Sequence, residues 1–163
     1  MMLARVPFAK SAQDFWRFEE AGRKLAELHI NYESAEQWHD LNLMNTPLSP
    51  GTIKDMHAVE KMRIKDLNGE KVIIYNESIT ITNIPVEAWR YVVNGKSALE
   101  WIVERYQNSV DKDSGLRNDA NAWGREHNNL RYILDLIEKI ITVSVETVKI
   151  LDALPEIGVE AEE

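Results

Sequence analysis

From Ser11 onward, Phe15, Trp16, Phe18, Ala21, Leu25, Ala26 and Leu28 recur at three- and four-residue spacings, which predicts an amphipathic helix. Ser11 is placed to cap it, and Asp14 sits in the first turn, where the helix dipole favours a carboxylate. The pattern fades over residues 29–32, with a weaker helical turn expected within 34–41. Asn45-Thr46-Pro47-Leu48-Ser49-Pro50-Gly51 then ends regular structure, because two prolines and a glycine continue neither a helix nor a central strand. From residue 58 the period changes to two, and Met62 and Ile64 alternate with Lys61, Arg63 and Lys65, so the apolar pair faces inward. Asn68-Gly69 signals a hairpin, expected in a slightly longer loop, with a return strand over 71–75. Ser78-Ile79-Thr80-Ile81-Thr82 alternates in the same way after a turn near Asn76-Glu77.

Pro85 marks another helical start, with Ala88, Trp89, Val92 and Val93 as its apolar side. Ser97-Ala98-Leu99-Glu100 reads as a capping box, in which the serine accepts the N–H three residues on and the glutamate reaches back. Gly95 is read as the end of the preceding helix. Residues 111–123 carry the polar, glycine-containing composition of a loop. A last helix runs through Ile133, Leu134, Ile137, Ile140, Ile141, Val145 and Val148. It is apolar over more than half its circumference, so it is either buried on two sides or continues into a partner. The class is α+β, a small antiparallel sheet of about three strands packed with helices. One domain is expected over 1–155: an N-terminal helix (1–33), the sheet (58–83), helices (84–107), a polar loop (108–128) and the long helix (129–154). An acidic tail follows over 156–163.

Composition narrows the function. The chain has 163 residues and no cysteine, which removes disulfide and thiolate chemistry. No apolar run approaches the roughly 20 residues that span a bilayer, and the N-terminus lacks a signal-peptide core, so a cytoplasmic protein is expected. The net charge of −8 argues against long-range capture of nucleic acid. Its distribution matters more. Asp152, Glu156, Glu160, Glu162 and Glu163 fall within the last twelve residues, whereas residues 90–131 are near neutral. There Arg90, Lys96, Arg105, Lys112, Arg117, Arg125 and Arg131 accompany Glu100, Glu104, Asp111, Asp113, Asp119 and Glu126. Such a region can touch phosphates locally but needs a basic neighbour to attract DNA from a distance.

Catalytic motifs fail on spacing. Gly95-Lys96-Ser97 ends like a Walker A loop, but the position needing the first glycine is Arg90. His29, His39, His57 and His127 show no H-x-x-x-H spacing, and Glu100 and Glu104 have no nucleophile or base nearby. Asn45-Thr46-Pro47-Leu48 is not the N-P-P-Y type of motif that holds a target adenine, and there is no glycine-rich cofactor loop. No catalytic residue, cofactor or metal site is assigned. Two stretches hold the side chains that clamp phosphates or read base edges. One contains Lys112, Arg117, Asn118, Asn121 and Arg125; the other contains Lys54, Lys61, Arg63 and Lys65. Both have plainer explanations. The first could be a rigid loop whose Asp and Asn side chains satisfy its own backbone, with Trp123 in the core. The second could be a solvated strand face.

Seven ordered blocks carry a resemblance to a known family. They are Val6-Pro7-Phe8-Ala9-Lys10 with Phe15-Trp16 and residues 21–29; Val59-Glu60-Lys61-Met62; Tyr75-Asn76; residues 92–101; residues 111–123; residues 131–136; and residues 142–148. Together with Val72 to Pro85 they resemble the C-terminal specificity domain of type ISP restriction–modification enzymes, single polypeptides joining nuclease, helicase-like translocase, adenine methyltransferase and target recognition. The resemblance implies a target-recognition domain that docks on the methyltransferase domain, of the same or a companion polypeptide, and helps read a short asymmetric site in double-stranded DNA. It implies a parent enzyme that methylates adenine, or translocates with ATP and cleaves; this chain carries no motif for those steps. Blocks shared by enzymes that read different sequences should mostly build scaffold or hold phosphates, so base contacts are expected disproportionately where the match fails, around 42–57. The rival expectation is a docking module without DNA binding, its long helix mating through Ile133, Ile137, Ile140 and Val148.

Overall fold

The computed structural model describes residues 8–45 and 56–157. Helix α1 (Ala12–Ile30) starts where Ser11 Oγ accepts the Asp14 N–H at 3.1 Å. It buries none of its residues completely and lies along the long helix α5 (Tyr132–Asp152). Arg17 donates to the carbonyl of Ala153 at 3.1 Å, and His29 meets Thr147 Oγ1 at 2.9 Å.

A 3₁₀ turn at Tyr32–Ser34 precedes four strands: β1 (Asn42–Asn45), β2 (Arg63–Leu67), β3 (Glu70–Ile74) and β4 (Ile79–Thr82). They form one antiparallel sheet in the order β1–β4–β3–β2. The sheet thus has one strand more than the sequence pattern suggests. Asn42-Leu43-Met44-Asn45 is too short and polar to show a period; it becomes a strand because β4 offers an edge. There Leu43 pairs with Ile81 and packs on the core, while Asn42 and Met44 stay exposed.

Two Asn-Gly turns are tighter than their surroundings suggested. Leu67 pairs directly with Glu70, so Asn68 and Gly69 alone make the turn, at φ 56° and 84°. Asp66 Oδ1 steadies it by accepting the Gly69 N–H at 2.9 Å. Positive φ at both positions is the type I′ turn, whose twist matches that of the strands. The same device recurs at Asn94-Gly95, φ 52° and 81°, between β5 (Val92–Val93) and β6 (Lys96–Ser97). Gly95 therefore does not end a helix: α2 (Val86–Arg90) stops earlier, and Val92 and Val93 lie exposed on a miniature hairpin. Ser97 does cap the next helix, α3 (Ala98–Arg105), in a complete capping box. The Ser97 N–H donates to Glu100 Oε2 at 2.7 Å, and the Glu100 N–H to Ser97 Oγ at 3.2 Å. That backbone donor holds the Glu100 carboxyl below its usual range.

One sheet face, through Ile73, Ile79 and Ile81, meets Ile133, Leu134, Ile137, Ile141 and Val145 of α5, with Ala88 of α2 and Leu99 and Val103 of α3 closing the core. With α1 along it as well, α5 is buried on more than one side. Ile133, Ile137 and Val148 are each no more than 4% exposed, and Ile140 packs against the same core. Most of its apolar circumference is spent inside the chain, Leu151 near its end staying exposed. Among the described residues no helix is long and apolar enough to cross a membrane.

Candidate nucleic-acid interface

The stretch that composition marks as loop contains a short hairpin, β7 (Ser109–Val110) against β8 (Arg117–Asn118), followed by one turn of helix, α4 (Ala122–Glu126). Asp111 builds the tip. Its Oδ1 accepts the N–H of Ser114 at 2.8 Å, the N–H of Asp113 at 3.2 Å and the Ser114 hydroxyl at 2.7 Å. The Asp111 N–H donates to Leu116 O, and the Gly115 N–H to Asp111 O, both at 2.9 Å. Gly115 sits at φ 71°, in the left-handed region that glycine enters without strain. The Ser114 N–H holds the Asp111 carboxyl below the usual carboxylate range. The self-satisfying loop anticipated from its Asp and Asn content is real, and it leaves residues 108–119 exposed as a preformed projection.

The hairpin is stitched to the chain that leads into β2. Asn121 clamps Val59 from both sides, its Oδ1 accepting the Val59 N–H and its Nδ2 donating to the Val59 carbonyl, each at 2.8 Å. Asn108 Nδ2 donates to the same carbonyl at 2.9 Å, and the Asn108 N–H to Glu60 O at 3.1 Å. Gln107 Nε2 reaches Met62 O at 3.4 Å. Asn108 closes the circuit by accepting the Ala120 N–H on Oδ1 at 2.9 Å. Tyr75 and Asn76 secure the other end, the Tyr75 hydroxyl donating to His57 O at 2.8 Å and Asn76 Nδ2 to Ala58 O at 3.0 Å.

This seam ties the segment leading into β2 to the base of the β7–β8 hairpin. Lys61 lies within that segment and Arg63 and Lys65 follow it on β2; Lys112 and Arg117 lie on the hairpin. All five are exposed, and among the described residues none has an ion-pair or side-chain hydrogen-bond partner. Arg125 differs: it pairs with Asp119, whose carboxyl that guanidinium holds below its usual range. Asn118 donates to Gln107 O at 3.1 Å, and Asn121 is engaged with Val59 at both ends of its amide. Lys54 lies outside the described residues, as does most of the 42–57 stretch expected to read bases. Trp123 is not core: it is 46% exposed and stacked on His127 and Tyr132, each at 4.1 Å between ring centroids. Asn108 and Gln107 escaped notice in sequence, since a single amide in a polar stretch carries no signal of a partner some fifty residues away.

Residues 1–136 match the type ISP C-terminal specificity domain. The chain belongs to that family. Among solved structures, the specificity domain is similar to the ATP-dependent type ISP restriction–modification enzyme LlaBIII bound to DNA. There the TM-score is 0.76 at 36% identity, covering 97% of this chain and 10% of that one. A nuclease-deletion mutant of the type ISP enzyme LlaGI, in complex with a DNA substrate mimic, gives 0.75 at 39% identity over 98% of this chain and 14% of that one. A DrdV–DNA complex gives 0.68 at 30% identity over 89% and 15%. The specificity domain thus spans 10–15% of the length of these solved chains. No curated protein matches it.

Proposed function

We propose that this specificity domain is the DNA-recognising part of a type ISP restriction–modification enzyme, reading a short asymmetric duplex site while docked on the methyltransferase domain of the same or a companion polypeptide. It is a non-catalytic module; adenine-N6 methylation, ATP-driven translocation and cleavage fall to the rest of the enzyme. The observation that supports this reading is the seam of Asn108 and Asn121 against Val59, which ties the segment leading to Lys61, Arg63 and Lys65 to the hairpin that bears Lys112 and Arg117, all five without counter-ions among the described residues. Unpaired cations on a chain of net charge −8 keep their full charge for phosphates close by, even though the whole molecule does not attract DNA from afar. Arg125, Asn118 and Lys54 are secondary contacts in this reading, and Asn121 positions the others. Docking falls to α1 rather than α5, most of whose apolar side chains are consumed internally. On α1, Phe15 (56% exposed) and Trp16 (64%) stand edge to face at 5.4 Å.

Salt dependence tests the proposal. If all five cations meet phosphates, log K falls against log salt with a slope near −4.5, about 500-fold between 50 and 200 mM. Fluorescence anisotropy with a labelled duplex should show that K112A, R117A or K61A each reduces the slope by about 0.9, alike on all sequences. A slope near zero, or one that none of these substitutions changes, refutes the proposal.

A further inference from the structure

The hairpin tip carries two side chains that phosphate binding does not account for. Leu116 is 71% exposed, next to Arg117 in β8. Asp113, next to Lys112, has a carboxylate without a partner among the described residues, unlike Asp111 and Asp119, which are taken up by the Ser114 N–H and by Arg125. Beside DNA an unpaired carboxylate is repelled by the backbone and gains only where it faces a hydrogen-bond donor. In a duplex such donors are base amino groups, and in the major groove a carboxylate pairs with the cytosine N4 amino group while apolar side chains meet the thymine methyl. That groove, about 12 Å wide, also admits a two-stranded ribbon.

Resting on the DNA-recognition reading, we infer that the tip of the β7–β8 hairpin enters the major groove and discriminates bases. Asp113 accepts from a cytosine N4 amino group, Leu116 lies against a thymine methyl, and Lys112 and Arg117 hold the flanking phosphates. The tip suits this because its backbone is already ordered: the Asp111 hydrogen bonds and the Gly115 turn hold the chain that carries both side chains before contact, so little backbone freedom is lost on binding.

The experiment is selection from a random-duplex library by the whole chain and by its D113N and L116A variants at about 50 mM salt, followed by affinities on the selected site. D113N should lose preference for cytosine at one position, by between about 5-fold and 150-fold. L116A should lose preference at a thymine, and replacing that thymine with deoxyuridine should weaken the wild type but not L116A. If D113N instead tightens binding to all duplexes equally, Asp113 only repels phosphate and the inference falls. It falls equally if the selected site holds no cytosine or thymine that responds. In both cases a salt slope that drops in K112A and R117A leaves the DNA-recognition reading standing. A folded chain that binds no duplex removes both.

Discussion

Replacing Asn121 with Ala should show how firmly the two basic stretches are held together. The side chain spans the backbone of Val59, itself fully buried, with one bond to the N–H and one to the carbonyl, both 2.8 Å. The carbonyl keeps Asn108 as a second donor at 2.9 Å, so its loss is one ordinary hydrogen bond, about 1 kcal/mol. The N–H has no substitute and is left unsatisfied in the interior, at about 1–3 kcal/mol. The expected total is about 2–4 kcal/mol. With a urea m-value of about 2 kcal/mol/M, the midpoint should fall by about 1–2 M at unchanged m. Asn118→Ala is the control, because it loses a single exposed bond, to Gln107 O at 3.1 Å, and should cost less than about 0.5–1 kcal/mol. Urea melts followed by tryptophan fluorescence report both. If N121A lowers stability by under about 0.5 kcal/mol, water replaces the amide at Val59 and the seam is not what locates the hairpin.

Acid should loosen the tip before it unfolds the domain. Asp111 has its folded pKa depressed by the Ser114 N–H, so its ordering of the hairpin is complete above the unfolded carboxylate value and is lost as pH falls through the lower folded one. Amide shifts of Asp113 and Ser114 should titrate below about pH 3.9, and D111N should abolish that transition; titration at the ordinary value argues against these bonds. Glu138 behaves oppositely. Burial raises its pKa against the opposing pull of Arg131, so its contribution favours the fold at low pH and declines as pH rises from the ordinary glutamate value through the folded one. Gly124→Ala should destabilise by about 1–3 kcal/mol, since a Cβ there would lie 2.6 Å from the Asn129 carbonyl oxygen. Gly22→Ala, in open space on α1, should instead raise the melting temperature slightly; thermal melts that rank the two the other way contradict the packing.

Much of this fold was legible because its signals are local. The Ser11 cap, the capping box at Ser97 and Glu100, the alternation through Ile79 and Ile81 and the long apolar repeat of α5 each depend on residues within one or two turns, where spacing alone decides geometry. The seven family blocks were legible for the same reason: order along the chain survives without knowledge of the fold. Contacts between distant segments were not. Asn42–Asn45 became a strand only because β4 presented an edge. The faces of α5 that seemed free for a partner were filled by the chain's own sheet, α1, α2 and α3. Above all, an Asn that composition offers as a base reader turned out to hold Val59, 62 residues earlier, and so to tie the hairpin to the segment leading into β2. Residue type sets what a side chain can bond; the tertiary structure alone decides which partner is near enough to claim it.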